Sequence, residues 1–137
     1  MEEARRVQSV WETIGVSEGQ KQIDAVKRGI PTRQLSAFIE ETQLPRAAVL
    51  RILKIKVADL DQRQKLSGEE SERFWRLAKI YSRSVTLCGG HPVKAVRWLT
   101  TPQLALGKST PLAHITTEPG AAEVLDLIGR LEYGVAS

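Results

Sequence analysis

The chain has 137 residues, of which 42% are hydrophobic and 26% are charged, a balance that favours one globular domain or two very small ones over a disordered chain. The single cysteine excludes an intrachain disulfide. No apolar run is long enough to cross a membrane, and the N-terminus lacks the apolar stretch of a secretory signal. We therefore expect a cytoplasmic protein. The formal net charge is +4. Residues 46–56 carry four bases and no acid, whereas residues 118–137 carry four acids and one base, which predicts two different partners.

Two helices are predicted before residue 30. Apolar residues at helical spacing indicate a short amphipathic helix in the first 16 residues, and the segment from Glu18 to Lys27 reads as a second helix that ends near Gly29. Prolines fall between the apparent helices and alternating β-branched residues are scarce along the whole chain. Both features favour an all-α fold.

The next two helical patterns are separated by a short turn. The first runs from about Thr32 to Glu41, the turn is Thr42-Gln43-Leu44, and the second begins at Pro45 and continues through Leu53. This is the spacing of a helix-turn-helix, so residues 1–64 are predicted to form an Xre-like helix-turn-helix domain for DNA binding and dimerisation. An ordinary helical hairpin with a solvated basic face fits the same pattern equally well, and Gln43 stands near the turn position where many such motifs carry glycine.

The second helix of this pair carries basic residues that are candidates for DNA binding. Arg46 and Arg51 can point away from the core on one broad face, where arginine pairs with guanine or holds phosphate. The start of the preceding helix is a common place for phosphate contacts. The predicted DNA-binding residues are Thr32, Arg33, Gln34, Arg46, Arg51, Lys54 and Lys56.

A polar connector is predicted over residues 55–66, followed by a long helix. Ser67 and Glu70 form an S-x-x-E capping box at its start, and it continues to about Leu87, before the Gly89-Gly90 break. The acids Glu69, Glu70 and Glu72 resemble a catalytic cluster only superficially, because the first turn of a helix favours negative charge.

Two further helices complete the predicted all-α chain. A short one follows His91-Pro92 and stops before Thr101-Pro102, and the last opens at Thr117-Glu118-Pro119 and ends at Gly134. Cys88, His91 and His114 lack metal-ligand spacing, and no phosphate loop, nucleophile elbow or zinc-protease motif is present. We therefore predict no enzyme activity, no catalytic residue, no metal site and no cofactor.

Several motifs downstream of residue 65 occur in a fixed order. They are Leu66-Ser67-x-x-Glu70-Ser71-x-Arg73, Ala95-x-x-Trp98-Leu99-x-x-Pro102, Leu106-Gly107-x-x-x-Pro111-Leu112 and Thr117-x-x-Gly120-x-x-x-Val124-x-x-x-Ile128-Gly129-Arg130-Leu131-x-Tyr133-Gly134. Together they resemble the toxin-binding domain of the Xre/MbcA/ParS antitoxins, which assigns residues 65–137 to such a domain, and residues 29–63 resemble the helix-turn-helix that precedes it. Lys108 departs from the pattern, since members often carry a second glycine after Gly107.

The resemblance implies an antitoxin that covers the active-site entrance of a RES-type toxin, a class similar to NAD-consuming enzymes, and that represses its own promoter as a dimer. Because the last helix is acidic and the tail after it is short and apolar, we expect the C-terminal end of the chain to enter a cationic cleft of the toxin. We expect toxin contacts from Glu118, Glu123, Glu132, Tyr133, Val135, Ala136 and Ser137, although a frayed surface terminus would carry the same residues. The alternative is a stand-alone Xre-like transcriptional regulator whose C-terminal module only dimerises.

Overall fold

A computed structural model describes residues 27–134, and across this span the chain is helical. Its α-helices are α1 (Thr32–Thr42), α2 (Arg46–Leu53), α3 (Val57–Leu60), α4 (Gly68–Leu87), α5 (Pro92–Leu99), α6 (Pro111–His114) and α7 (Glu118–Glu132), with a 3₁₀ turn at Leu104–Leu106. The described part contains no β-strand, only an isolated bridge between Pro31 and Lys65. The predicted all-α class is confirmed. The helix predicted over the first 16 residues, and all but Lys27 of the second, lie outside the described residues.

Side-chain caps fix where the later helices begin. Ser67 accepts a hydrogen bond from the backbone N–H of Glu70 at 3.1 Å, and the Glu70 carboxylate accepts one from the N–H of Ser67 at 2.8 Å, so the predicted capping box is confirmed. Thr117 caps α7 in the same way, by accepting a hydrogen bond from the N–H of Gly120. These caps satisfy backbone donors that the helices cannot pair internally.

Helix α4 is the central element, and helices from both halves of the chain pack on it. The buried ring of Phe38 in α1 lies edge-on to Phe74 and Tyr81 in α4, with ring centroids 5.1 and 5.9 Å away. From the other side, the apolar stripe of α7 buries Val124 and Ile128 against the same core. One core cluster therefore contains residues from both sides of positions 64 and 65. The division there into a DNA-binding domain and a toxin-binding domain stays a prediction.

Two hydrogen bonds join the segment before α1 to the segment before α4 and to the first turn of α4. The N–H of Leu66 donates to the carbonyl of Ile30 at 2.8 Å, and the N–H of Ile30 donates to the hydroxyl of Ser71 at 2.9 Å. Gly29 has a φ of +92°, and a Cβ there would lie 2.5 Å from the carbonyl oxygen of Leu66. Only glycine allows the two segments to approach this closely.

The predicted polar connector over residues 55–66 is wrong in part. The segment contains the short helix α3, and its apolar residues Ile55, Leu60 and Leu66 are buried in the core. Polar neighbours hid these three positions, because a single helical turn is too short to show a 3.6-residue period. Pro45 was predicted inside the first turn of its helix, but it precedes α2, which begins at Arg46.

Candidate functional site

The turn between α1 and α2 is tightly built. Gln43 ends α1 with a φ of 62°, the left-handed conformation that glycine usually supplies, and its N–H donates to the carbonyl of Ile39. Leu44 is buried, and its N–H donates to the hydroxyl of Thr42 at 3.3 Å. The turn thus sets the direction of α2 relative to α1, although it contains no glycine.

Helix α2 divides into a buried face and a basic exposed face. Val49, Leu50, Ile52 and Leu53 are buried in the core, while Arg46, Ala47 and Arg51 are exposed. Lys54 ends the helix at a φ of 59° and is also exposed, and Arg73 from α4 donates to the carbonyl of Leu53 at 3.1 Å. Arg73 was not among the predicted site residues, because a contact 20 residues apart leaves no local pattern in the sequence.

The exposed basic residues of this region form no ion pair with any residue in the described span. This holds for Arg33, Arg46, Arg51, Lys54 and Lys56, all of which are exposed. Their charges are therefore available to an anionic partner.

The other two predicted DNA contacts are placed less favourably. Thr32 is 8% exposed and its hydroxyl donates to the carbonyl of Arg63 at 2.6 Å, so this side chain is used inside the protein. Gln34 is half-buried, and its buried side-chain oxygen has no hydrogen-bond partner among residues 27–134. Burial of Thr32 was missed because its position at a helix start looked exposed from the sequence.

A polar cleft of about 320 Å³ lies where α2, α4 and the start of α7 meet. It places Lys54, a predicted DNA contact, and Glu118, a predicted toxin contact, along one opening, although 64 positions separate them in the chain. Three cations and three acids line it, so the cleft has no net charge: Lys54, Arg73, Arg76, Glu69, Glu72 and Glu118. The two predicted interfaces are therefore neighbours on the folded surface.

The acids of α7 are mostly paired within the chain. Glu123 lies 2.7 Å from Nε2 of His114, and Glu132 lies 3.3 Å from the guanidinium of Arg83 in α4. Glu118 is exposed and has no ion pair within the described residues, and Tyr133 is 85% exposed at the end of the helix. The remaining predicted toxin contacts, Val135, Ala136 and Ser137, lie outside the described residues.

Within the described residues, the side chains that could act in catalysis or bind a metal ion lie apart or make structural contacts. In α4, Glu70 completes the capping box and Glu69 lies 3.6 Å from Arg73. Burial raises the pKa of the Cys88 thiol, which disfavours the reactive thiolate. Within residues 27–134 no three His, Cys, Asp or Glu side chains lie close enough together to hold a metal ion, and no helix of that span is long and apolar enough to cross a membrane.

Comparison with known proteins places the chain among antitoxins. Residues 84–134 match the family model for the antitoxin Xre/MbcA/ParS C-terminal toxin-binding domain. The chain is 36% identical to an antitoxin Xre of Yersinia enterocolitica, over 98% of its own length and 95% of the relative's, and 30% identical to an antitoxin Xre of Photorhabdus laumondii, over 98% and 96%. It is 27% identical to a Sphingobium protein named Prs ADP-ribosylating antitoxin, over 82% and 78% of the two lengths. The chain belongs to the Xre/MbcA/ParS family of antitoxins.

Proposed function

We propose that this protein acts in the cytoplasm as the antitoxin of a RES-type, NAD-consuming toxin and also binds DNA to repress its own operon. Similarity to two Xre antitoxins over nearly the whole chain supports the antitoxin role. The name of the Sphingobium relative fits the proposed class of toxin, because ADP-ribosylation is a reaction that consumes NAD.

Helix α7, together with the residues that follow it, is the part of the chain that we assign to the toxin's active-site entrance. A pocket that holds the pyrophosphate of NAD is cationic, and the exposed Glu118 would complement it. Glu123 and Glu132 would contribute by exchanging His114 and Arg83 for cations of the toxin. Tyr133, exposed at the end of the helix, continues the contact toward Val135, Ala136 and Ser137.

Helix α2 is the part that we assign to the major groove of operator DNA. The single observation that supports this is its exposed face, where Arg46, Arg51 and Lys54 have no acidic partner in the described chain. Arg33 in α1 and Lys56 after α2 are exposed as well and would contact phosphates, as would Gln34, which follows Arg33 in the sequence. Thr32 is left out of this proposal because its hydroxyl is bonded to Arg63.

A homodimer is the form in which we expect this surface to act. One α2 helix reads only a few base pairs, whereas two related by a twofold axis would read two half-sites about one helical turn apart. The toxin would then join the antitoxin dimer in a larger complex.

Co-expression with the protein encoded by the adjacent open reading frame tests the toxin half of the proposal, and gel-shift of the shared promoter tests the DNA half. We expect a stable complex, restored growth and a retarded promoter band. Promoter binding without complex formation or rescue would instead favour a stand-alone transcriptional regulator.

A further inference from the structure

The loop between α5 and α6 is closed on itself by hydrogen bonds. The N–H of Gln103 donates to the carbonyl of Ser109, and the N–H of Lys108 donates to the carbonyl of Gln103, each at 3.0 Å. The side-chain amide of Gln103 also donates to the carbonyl of Thr101 at 3.1 Å, and Leu106 is buried in the core below. The shape of the loop is therefore set by the fold itself.

Consecutive left-handed residues complete this loop. Gly107 has a φ of 64° and Lys108 a φ of 70°. This conformation is unfavourable for lysine, and the hydrogen bond from the Lys108 N–H to the carbonyl of Gln103 holds it there. The left-handed conformation of Lys108 is therefore part of the closed shape of this loop.

Residues 100–107, which we call the neutral loop, display an apolar side chain to solvent. Leu104 is 83% exposed, and Thr101, Pro102 and Ala105 around it are exposed as well. No charged residue occurs from Trp98 to Gly107, although charged residues make up 26% of the chain. Exposed apolar area without charges is the composition of the centre of a protein–protein interface and is unlike the cationic surface that DNA requires.

We propose that the neutral loop is a docking surface for the cognate toxin, with Leu104 as the anchor that enters an apolar pocket of that toxin. The inference rests on the proposed antitoxin function and adds a contact distinct from α7 and the residues after it. The loop lies inside residues 84–134, the segment that matches the toxin-binding domain of the family, which favours the toxin over a second copy of this chain. Because the loop is already ordered, little entropy is lost when a partner binds Leu104.

Matched substitutions of exposed apolar residues test this surface. Leu104→Ser removes the proposed anchor, Leu104→Met keeps its size and polarity, and Val57→Ser removes a side chain that is 60% exposed but outside the matched domain. Affinity for the protein encoded by the adjacent open reading frame is measured by calorimetry, alongside the mass of the free antitoxin in solution. We expect Leu104→Ser to weaken binding by about tenfold or more, and the other two variants to stay within about twofold of the parent.

The possible results separate this inference from the function on which it rests. Weaker binding of Leu104→Ser at an unchanged melting temperature would support the anchor. Tight binding by both the parent and Leu104→Ser would overturn the anchor alone, and an altered mass of the free Leu104→Ser antitoxin with unchanged affinity would reassign the loop to self-association. Failure of the parent to bind would overturn both the proposed function and the role of the loop.

Discussion

The guanidinium of Arg63 meets the carboxylate of Glu70 through two hydrogen bonds, Nη1 to Oε2 at 3.0 Å and Nη2 to Oε1 at 2.5 Å. The same carboxylate caps α4 through the N–H of Ser67, and the carbonyl of Arg63 accepts the hydroxyl of Thr32. One ion pair thus ties the start of α1, the segment before α4 and the first turn of α4 together.

This pair gives a pH dependence with a defined sign. The hydrogen bond from Arg63 lowers the pKa of Glu70 from 4.5 to about 2. Because the folded pKa is depressed, the stabilisation is complete above the unfolded value near pH 4.5 and is lost as the pH falls toward about 2. We expect Glu70→Gln to cost about 1–2 kcal/mol of unfolding free energy at pH 7.

Denaturant unfolding at several pH values measures that effect. The difference between the parent and Glu70→Gln should shrink steadily between pH 4.5 and pH 2. Glu72→Gln is the matched control, because Glu72 is exposed and unpaired in the described chain, and it should change stability by less than about 0.5 kcal/mol. If the difference in unfolding free energy between the parent and Glu70→Gln stays constant over this pH range, the Arg63–Glu70 ion pair is excluded as its source.

A second prediction concerns the close approach at the start of α7. A Cβ on Gly120 would lie 1.9 Å from the carbonyl oxygen of His114, so Gly120→Ala must displace the segment between α6 and α7. We expect a loss of about 2–4 kcal/mol of stability. Gly68→Ala is the matched control, since a Cβ on Gly68 would meet no atom within 4 Å and alanine favours a helix. Equal thermal stability of the two variants would refute the steric argument.

Operator binding should depend on salt and on Arg51. If Arg46, Arg51, Lys54 and Lys56 each neutralise a phosphate in both protomers of a dimer, the log–log salt slope is about −7, from roughly −0.9 per phosphate. Should Arg51 instead read a base, Arg51→Ala would cost about 1–3 kcal/mol on the operator and much less on random DNA. Lys94→Ala removes an exposed cation from α5 and serves as the control. A slope near zero, measured by fluorescence anisotropy, would contradict the DNA surface.

Toxin affinity should depend on the last residues of the chain. Deletion of residues 134–137 is expected to weaken toxin binding by about tenfold, because it removes the proposed contact beyond Tyr133. Glu118→Gln should weaken binding more at low salt than at high salt, whereas Glu40→Gln, an exposed acid on α1, should have no effect. Unchanged affinity of the deletion variant would remove the tail from the interface.

Local signals made much of the fold predictable from the sequence. Ser67 and Glu70 located the start of α4, Thr117 located the start of α7, and the apolar steps from Phe74 to Val85 identified the buried face of α4. Each of these signals lies within a few residues of the feature that it predicts. The sequence places Gln43 near the turn position where many such motifs carry glycine, and Gln43 adopts the left-handed conformation.

Features that depend on distant contacts were not predictable in this way. The burial of Leu60 and Leu66 follows from the packing of the whole core, and the cap of α2 by Arg73 joins residues from different halves of the chain. The internal pairing of Glu123 with His114 and of Glu132 with Arg83 likewise needs the folded arrangement of α4, α6 and α7. The exposure of Leu104 is a tertiary property as well, although the uncharged run around it is visible in the sequence.

The most direct test of the central claim is a growth assay of cells that express the adjacent open reading frame with and without this chain, combined with affinity purification of the tagged antitoxin. The account predicts arrested growth with the toxin alone, restored growth when both proteins are present, and co-purification of the two. Growth arrest that persists in the presence of well-expressed antitoxin, with no complex recovered, would contradict it.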